Sequence, residues 1–174
     1  AGEFDTGAYS SWGPTVATRV PIHCSGPYAV GSVLAQTRAI LTNNAPSGAF
    51  RGFGTPQAAF ATESLMDALA DRLGIDRLEF RLKNALRAGD RTATGQLLTA
   101  SVGMADCLVA LQAPWQAAQA AAQAHNAGNG MTRRGVGVAC MWYGCGNTAL
   151  PNPSTMRVAV TADGRVVLYQ GAVD

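Results

Sequence analysis

The sequence predicts an α+β fold in which mixed sheet strands accompany a helix pair and a C-terminal antiparallel β-hairpin. Three observations carry that expectation. Leucines at 65, 69 and 73, then at 78, 82 and 86, recur every four residues on two adjacent segments, which is a helical period. Apolar side chains alternate along Val136, Val138, Cys140 and Trp142 and again along Met156, Val158 and Val160, as one face of a strand requires. Asp163–Gly164 then supplies a two-residue hairpin signal before Val166, Leu168 and Gln170 on the returning strand.

The elements follow in order. Residues 1–14 are rich in Gly, Ser and Pro and read as irregular or as a broken strand. Thr15 to His23 forms a short helix or a strand, with Pro21 arguing against a long helix. Gly26–Pro27 marks a turn, and Ala35 to Thr42 a strand. A loop through Asn43, Asn44, Pro46, Ser47 and Gly48 leads to a helix N-capped by Thr55, with Pro56 at its first position and Gly74 at its end. Asp76 and Glu79 resemble a capping box opening a second helix that Gly89 ends. Met104 to Gln112 fits a third helix, which Pro114 breaks or restarts, and Trp115 to His125 a weakly amphipathic fourth. Asn126 to Thr132 is a loop, and Gly144, Gly146, Asn147 and Pro151 to Pro153 form a long turn region between strands. The segments group as 1–54 (loop and strand), 55–125 (helical) and 133–174 (strands).

At 174 residues and 48% hydrophobic, the chain suits one compact domain with an adequate core. Its 14% charge is low for a free-standing surface, which implies that much of it is covered by other parts of a larger protein. A net charge of +2 without a Lys/Arg stripe gives no nucleic-acid footprint. No stretch is apolar enough to span a bilayer, and no signal peptide opens the chain. Cys24, Cys107, Cys140 and Cys145 form no C-x-x-C pair, so buried free thiols in a reducing, cytoplasmic setting are expected rather than a metal or cluster site. The chain stops on a strand at Asp174, which suggests truncation.

One loop carries candidate chemistry: Gly48-Ala49-Phe50-Arg51-Gly52-Phe53-Gly54, between a predicted strand and a helix start. Its glycines allow backbone close to a ligand, and the helix presents free N–H groups and a positive dipole end. Phe53 offers a flat apolar face, and Arg51 supplies charge or anchors the loop. On those grounds it is either a polar-ligand loop or a tight turn with core phenylalanines. It lacks the Gly-Lys-Ser/Thr of a P-loop, and the parallel βαβ context of a dinucleotide fingerprint is not expected.

The segment from Thr42-Asn43 through Ser47-Gly48-Ala49-Phe50-Arg51-Gly52-Phe53-Gly54 and Pro56-Gln57 resembles the signature loop of the xanthine dehydrogenase and aldehyde oxidoreductase family. Glu63, Met66-Asp67, Leu73-Gly74, Glu79-Phe80-Arg81, Lys83-Asn84, Gly89-Asp90 and Gly95-Gln96 follow in that family's order. His23, Gly26-Pro27-Tyr28, Arg134 to Val138 and Asp163-Gly164 through Gly171 extend the match to nearly the whole chain. The resemblance implies an internal part of a molybdopterin-binding large subunit and of its cofactor-binding domain. It assigns Ala49, Phe50, Arg51 and Gly52 to the molybdenum cofactor, and Phe53 and Arg19 to substrate. Iron–sulfur clusters and FAD are implied on other domains or subunits, together with the rest of the molybdopterin-binding region as partner. The cofactor's cytosine dinucleotide form stays open, and so does the substrate, an aldehyde or an N-heteroaromatic carbon oxidised with water.

Three features of the family are missing: the upstream glycine-rich loop with its glutamine, the late glutamate base, and the Gly-Gln-Gly segment expected after Asp174. No catalytic residue and no metal ligand is therefore assigned within this chain, which alone is expected to be inactive. A split subunit or non-catalytic interaction module completing a site with another chain is the alternative. His23 is expected to serve structure or hydrogen bonding, His125 to be a solvated helix end, and Trp142 and Tyr143 to pack or to border the pocket.

Overall fold

The computed structural model describes residues 1–144 and 155–170. The chain divides into two compact units, Ala1–Tyr143 and Gly144–Asp174. In the first, the elements run β1 (Gly2–Gly7), α1 (Gly13–His23), β2 (Thr37–Leu41), α2 (Thr55–Leu73), α3 (Arg77–Asn84), α4 (Met104–Ala110) and α5 (Gln112–Asn126). The second holds β3 (Arg157–Val160) and β4 (Val166–Tyr169). Helix and strand are both present as expected, but among the described residues the strands form two separate two-stranded sheets rather than one mixed sheet.

Strands β1 and β2 are parallel, with Gly2 opposite Thr37 and Asp5 opposite Ile40, and α1 connects them. This is the βαβ context that the sequence did not lead us to expect, although the glycine loop follows β2 rather than β1. Residues 1–14 thus open with a regular strand, and 15–23 settle as helix. Pro21 lies inside α1, where it has no N–H to offer the carbonyl of Ala17 four residues earlier. The hydroxyl of Thr37 on β2 donates to that carbonyl instead, at 2.7 Å, so the crossover strand satisfies the acceptor that proline orphans.

Helix α2 departs from the leucine pattern. It buries Thr55, Ala58, Glu63, Met66 and Ala70 and leaves Phe60, Leu65, Leu69 and Leu73 exposed. The small residues Ala58 and Ala70 let α1 and α3 approach closely, so the side chosen for packing within this chain is the alanine side. Gly74 ends the helix as expected, its N–H and that of Ile75 reaching back to Asp71 and Ala70. Asp76 caps α3 by accepting from the N–H groups of Leu78 (2.9 Å) and Glu79 (3.0 Å), and its second oxygen accepts from the Trp115 indole of α5 at 2.9 Å. The helix stops at Asn84, well short of Gly89. Backbone bonds from Ala29 N–H to Asn84 and from Leu86 N–H to Pro27 draw the chain into an extended bridge between Tyr28 and Ala85. Pro114 stands in the first turn of α5, where its missing N–H costs nothing.

The core joins Tyr28, Met66, Leu78, Ala85, Leu108, Trp115 and Cys140. Along 136–142 burial alternates as a strand face would, with Cys140 fully inside, yet no ladder partner pairs with it among the described residues. Cys24 is half-buried and Cys107 exposed, so of the described thiols, all free, only Cys140 meets the expectation of burial.

Strands β3 and β4 pair antiparallel, Val160 opposite Val166. The connection is one residue longer than the two-residue signal suggested. Thr161 N–H bonds to Arg165 O at 2.9 Å, leaving Ala162, Asp163 and left-handed Gly164 (φ 80°) between them. The expected turn through Gly146, Asn147 and Pro151 to Pro153, together with Cys145, Gly171 and Asp174, lies outside the described residues. Among the described residues, no helix is long and apolar enough to cross a membrane.

Candidate functional site

The glycine loop is strapped along β1 before it reaches α2. Thr42 N–H bonds to Gly7 O (3.1 Å), Ala8 N–H to Asn44 O (3.0 Å) and Ser47 N–H to Thr6 O (3.1 Å). The Asp5 carboxylate gathers the entry, accepting from the Thr42 hydroxyl at 2.7 Å, from the Asn44 amide and from Gly7 N–H at 2.9 Å. Those bonds, Thr42 first, hold its pKa below the usual carboxylate value.

Two tight turns then overlap. Phe53 N–H bonds to Phe50 O and Thr55 N–H to Gly52 O, each at 2.9 Å. Gly52, Phe53 and Gly54 pass through left-handed φ values of 88°, 46° and 97° in succession. Gly54 itself is the N-cap of α2, so Thr55 is the first helical residue and not the cap expected for it. The Thr55 hydroxyl points into the protein and caps nothing. Gly48, Phe50 (86% exposed) and Arg51 lie at the surface, while Ala49, Gly52 and Phe53 are half-buried.

Helix α1 lies against this loop. Trp12, its N-cap, and Val16, Arg19 and His23 follow at helical spacing on one face. The Trp12 ring stands 6.3 Å from that of Phe53 at 51°. The Val16 carbonyl occupies the space beside Gly54. The Arg19 guanidinium lies 6.0 Å from the centroid of the Tyr143 ring, within cation–π range. His23 is 7% exposed and packs edge-on against Trp142 at 5.6 Å and tilted against Tyr143 at 5.7 Å. Burial, then the charge of Arg19, pushes its pKa below the ordinary histidine value.

The structure thus places the loop residues Ala49 to Phe53 and the helix that carries Arg19 side by side. It adds Trp12, which sequence reasoning passed over although its spacing from Val16, Arg19 and His23 was visible. Trp142 borders a small interior pocket, Tyr143 supports Arg19, and His125 meets the Thr132 hydroxyl at 3.2 Å near the end of α5. Among the described residues, no group of His, Cys, Asp and Glu is placed to hold a metal ion.

The loop suits a large anionic cofactor by its exposed outer side, its glycines and the N-terminal end of the 19-residue α2 behind it. Two models, each described as a molybdopterin cofactor-binding domain, match residues 3–85 and 109–174. The nicotinate dehydrogenase large molybdopterin subunit of Eubacterium barkeri is 51% identical over 104 residues, 60% of this chain and 24% of the relative. The aldehyde oxidoreductase of Megalodesulfovibrio gigas is 35% identical over 165 residues, 95% of this chain and 18% of the relative. A solved aldehyde oxidoreductase from Desulfovibrio gigas superposes with a TM-score of 0.71 at 28% identity, covering 95% of this chain and 18% of that one. The chain therefore spans about a fifth of the length of the relatives it matches. With one matched model spanning the loop and the helix pair and a second covering 109–174, the chain belongs to the molybdopterin cofactor-binding region of the xanthine dehydrogenase and aldehyde oxidoreductase family.

Proposed function

We propose that this chain forms part of a molybdenum-dependent hydroxylase that oxidises an aldehyde or N-heteroaromatic carbon with water as the oxygen source. The observation that carries the reading is the left-handed run at Gly52–Gly54, which sets the Ala49–Gly52 loop, exposed at Phe50 and Arg51, at the start of α2. Ala49, Phe50, Arg51 and Gly52 would hold the cofactor, with their backbone and the N-terminal end of α2 facing it. When bound, that cofactor supplies the two-electron redox chemistry. Phe53 stacks on a planar substrate with Trp12 behind it, and Arg19, steadied by Tyr143, orients a polar substituent. The cofactor-binding domain is read as the segments 1–54, 55–125 and 133–174 acting together. The remaining molybdopterin-binding region supplies the base, iron–sulfur and flavin domains or subunits carry electrons away, and this chain alone turns nothing over.

A second reading, a split subunit or interaction module, rests on the exposed apolar stripe of Phe60, Leu65, Leu69 and Leu73 along α2. Metal and pterin analysis of the natural protein carrying this sequence, expressed where the cofactor is made, separates the two. Molybdenum and pterin near one per protein support the hydroxylase, and Gly52→Ala, which distorts the loop backbone at a φ of 88° with its Cβ 2.7 Å from Pro56, then lowers both. If neither is present, the enzyme reading fails and the interaction module replaces it.

A further inference from the structure

Between α1, the start of α2 and the extended segment near 140 lies a small, partly open pocket with space of about 10 Å³. It is lined by His23, Thr55, Thr62, Glu63, Cys140 and Trp142, among others. Three side chains bring buried polar atoms that bond to no protein group among the described residues: the ring nitrogens of His23, the Thr55 hydroxyl and the Trp142 indole N–H. His23 and Thr55 are 7% and 1% exposed, so bulk solvent does not serve them. Buried polar groups left without partners are costly and uncommon in native proteins. All three residues line one space, and its size is close to the roughly 10–15 Å³ that a single water needs.

We infer that this cavity is a binding site for one buried water, which bonds His23, Thr55 and Trp142 and pins the root of the glycine loop to the helix bearing Arg19. The donors and acceptors fit. A water accepts from the Trp142 N–H, which can only donate, and gives its two protons to the Thr55 oxygen and to the acceptor nitrogen of a neutral His23, whose other, proton-bearing ring nitrogen it does not serve. Glu63 lines the same cavity but does not compete, because its two carboxylate oxygens already accept from Tyr28 at 2.7 Å and Arg81 at 2.8 Å. The small volume and the lack of a free carboxylate among the described lining residues favour water over a metal ion. The consequence is positional. Thr55 directly follows Gly54 and His23 lies one turn beyond Arg19, so the water joins the two sides of the site through their buried ends. That last step rests on the reading of Ala49–Phe53 and Arg19 as cofactor and substrate residues, whereas the water site itself does not.

The test uses the natural full-length protein. A crystal structure at high resolution should show one peak within hydrogen-bond reach of all three side chains. Thr55→Val, of nearly the same shape, should lose that peak, and amide exchange at Thr55 and Ala58, whose N–H groups bond to the carbonyls of Gly52 and Gly54, should quicken roughly two- to tenfold, the size expected for one lost hydrogen bond. Thr55→Ser should restore both. A dry cavity, a direct His23–Thr55 bond, or equal exchange in the valine and serine variants overturns the inference. If the valine variant does not fold, the wild-type density and the serine variant still decide. Molybdenum content is read in parallel. Absence of the metal from the wild type defeats the cofactor reading, and the density then judges the water alone.

Discussion

The carbonyl oxygen of Val16 stands where a side chain on Gly54 would begin, 2.3 Å from the position of its Cβ. Helix α1 and the glycine loop are thereby in backbone contact, and the contact exists because residue 54 has no side chain. Gly54 also holds a φ of 97°. Gly54→Ala meets both penalties, about 1–2 kcal/mol for the left-handed backbone and about 1–3 kcal/mol for overpacking. Gly74→Ala meets only the first, since nothing lies within 4 Å of its Cβ position. Urea unfolding should show Gly54→Ala costing clearly more than Gly74→Ala, and equal costs would remove the close contact from the account.

A second prediction concerns the packing of α2 on α3. Arg81 is wholly buried, and its guanidinium meets Glu63 at 2.8 Å and Asp67 at 2.8 Å. Tyr28 donates to the other Glu63 oxygen, and burial together with that bond pushes the phenol well above its usual range. Arg81→Met leaves Glu63 buried and unpaired, at a cost of about 3–5 kcal/mol. The double variant Arg81→Met, Glu63→Gln should recover part of this, because the charge that was stranded is gone. A double-mutant cycle measures the recovery, and strict additivity would contradict the coupling.

The helix pair, the αL end at Gly74, the Asp76 cap and the hairpin were legible because each depends on residues close in sequence. The leucine stripe of α2 misled for a physical reason: periodicity shows that one face is apolar, but not which neighbour covers it, and here the alanine side meets α1 and α3. The early end of α3 comes from Tyr28 and Pro27, more than fifty residues away, and no local signal announces such a bridge. Of the site, the loop from Ala49 to Phe53 was read from its motif. The arrangement of His23, Thr55 and Trp142 was not, since three residues so far apart in sequence meet only through tertiary packing.

Stability should depend on pH through His23. Its folded pKa lies below 6.5, because burial and then Arg19 disfavour the charged ring. The charged or titratable groups facing it are Arg19 on its own helix, Glu63 of α2, and Cys140 and Tyr143. As pH falls from above 6.5, the unfolded chain takes up a proton that the folded chain resists, so stability is full above that value and is lost as pH drops towards the folded pKa. The urea midpoint should therefore fall between pH 7.5 and pH 5.5 (roughly one unit either side of a free histidine). His23→Gln should flatten that slope, and an unchanged slope would assign it to other groups.

Phe53 joins backbone strain to the proposed substrate site. It is the non-glycine residue with positive φ among those described, at 46°, a conformation that costs about 1–2 kcal/mol for an L side chain. The flanking turns and the Trp12 ring at 6.3 Å hold it there. Two substitutions separate the strain from the ring. Phe53→Ala and Phe53→Gly both delete the aromatic face, whereas only glycine relaxes the backbone. If the ring stacks on substrate, both variants should raise KM for a planar heteroaromatic compound by a similar factor, about 2 to 12 from the 0.5–1.5 kcal/mol of an aromatic pair. Their urea midpoints should differ, with glycine the more stable. Equal KM to wild type in both, measured by steady-state kinetics on the molybdenum-loaded protein, would leave Phe53 as a turn residue packed on Trp12. A rise in the alanine variant alone would trace the effect to loop geometry, because only the strain distinguishes the two.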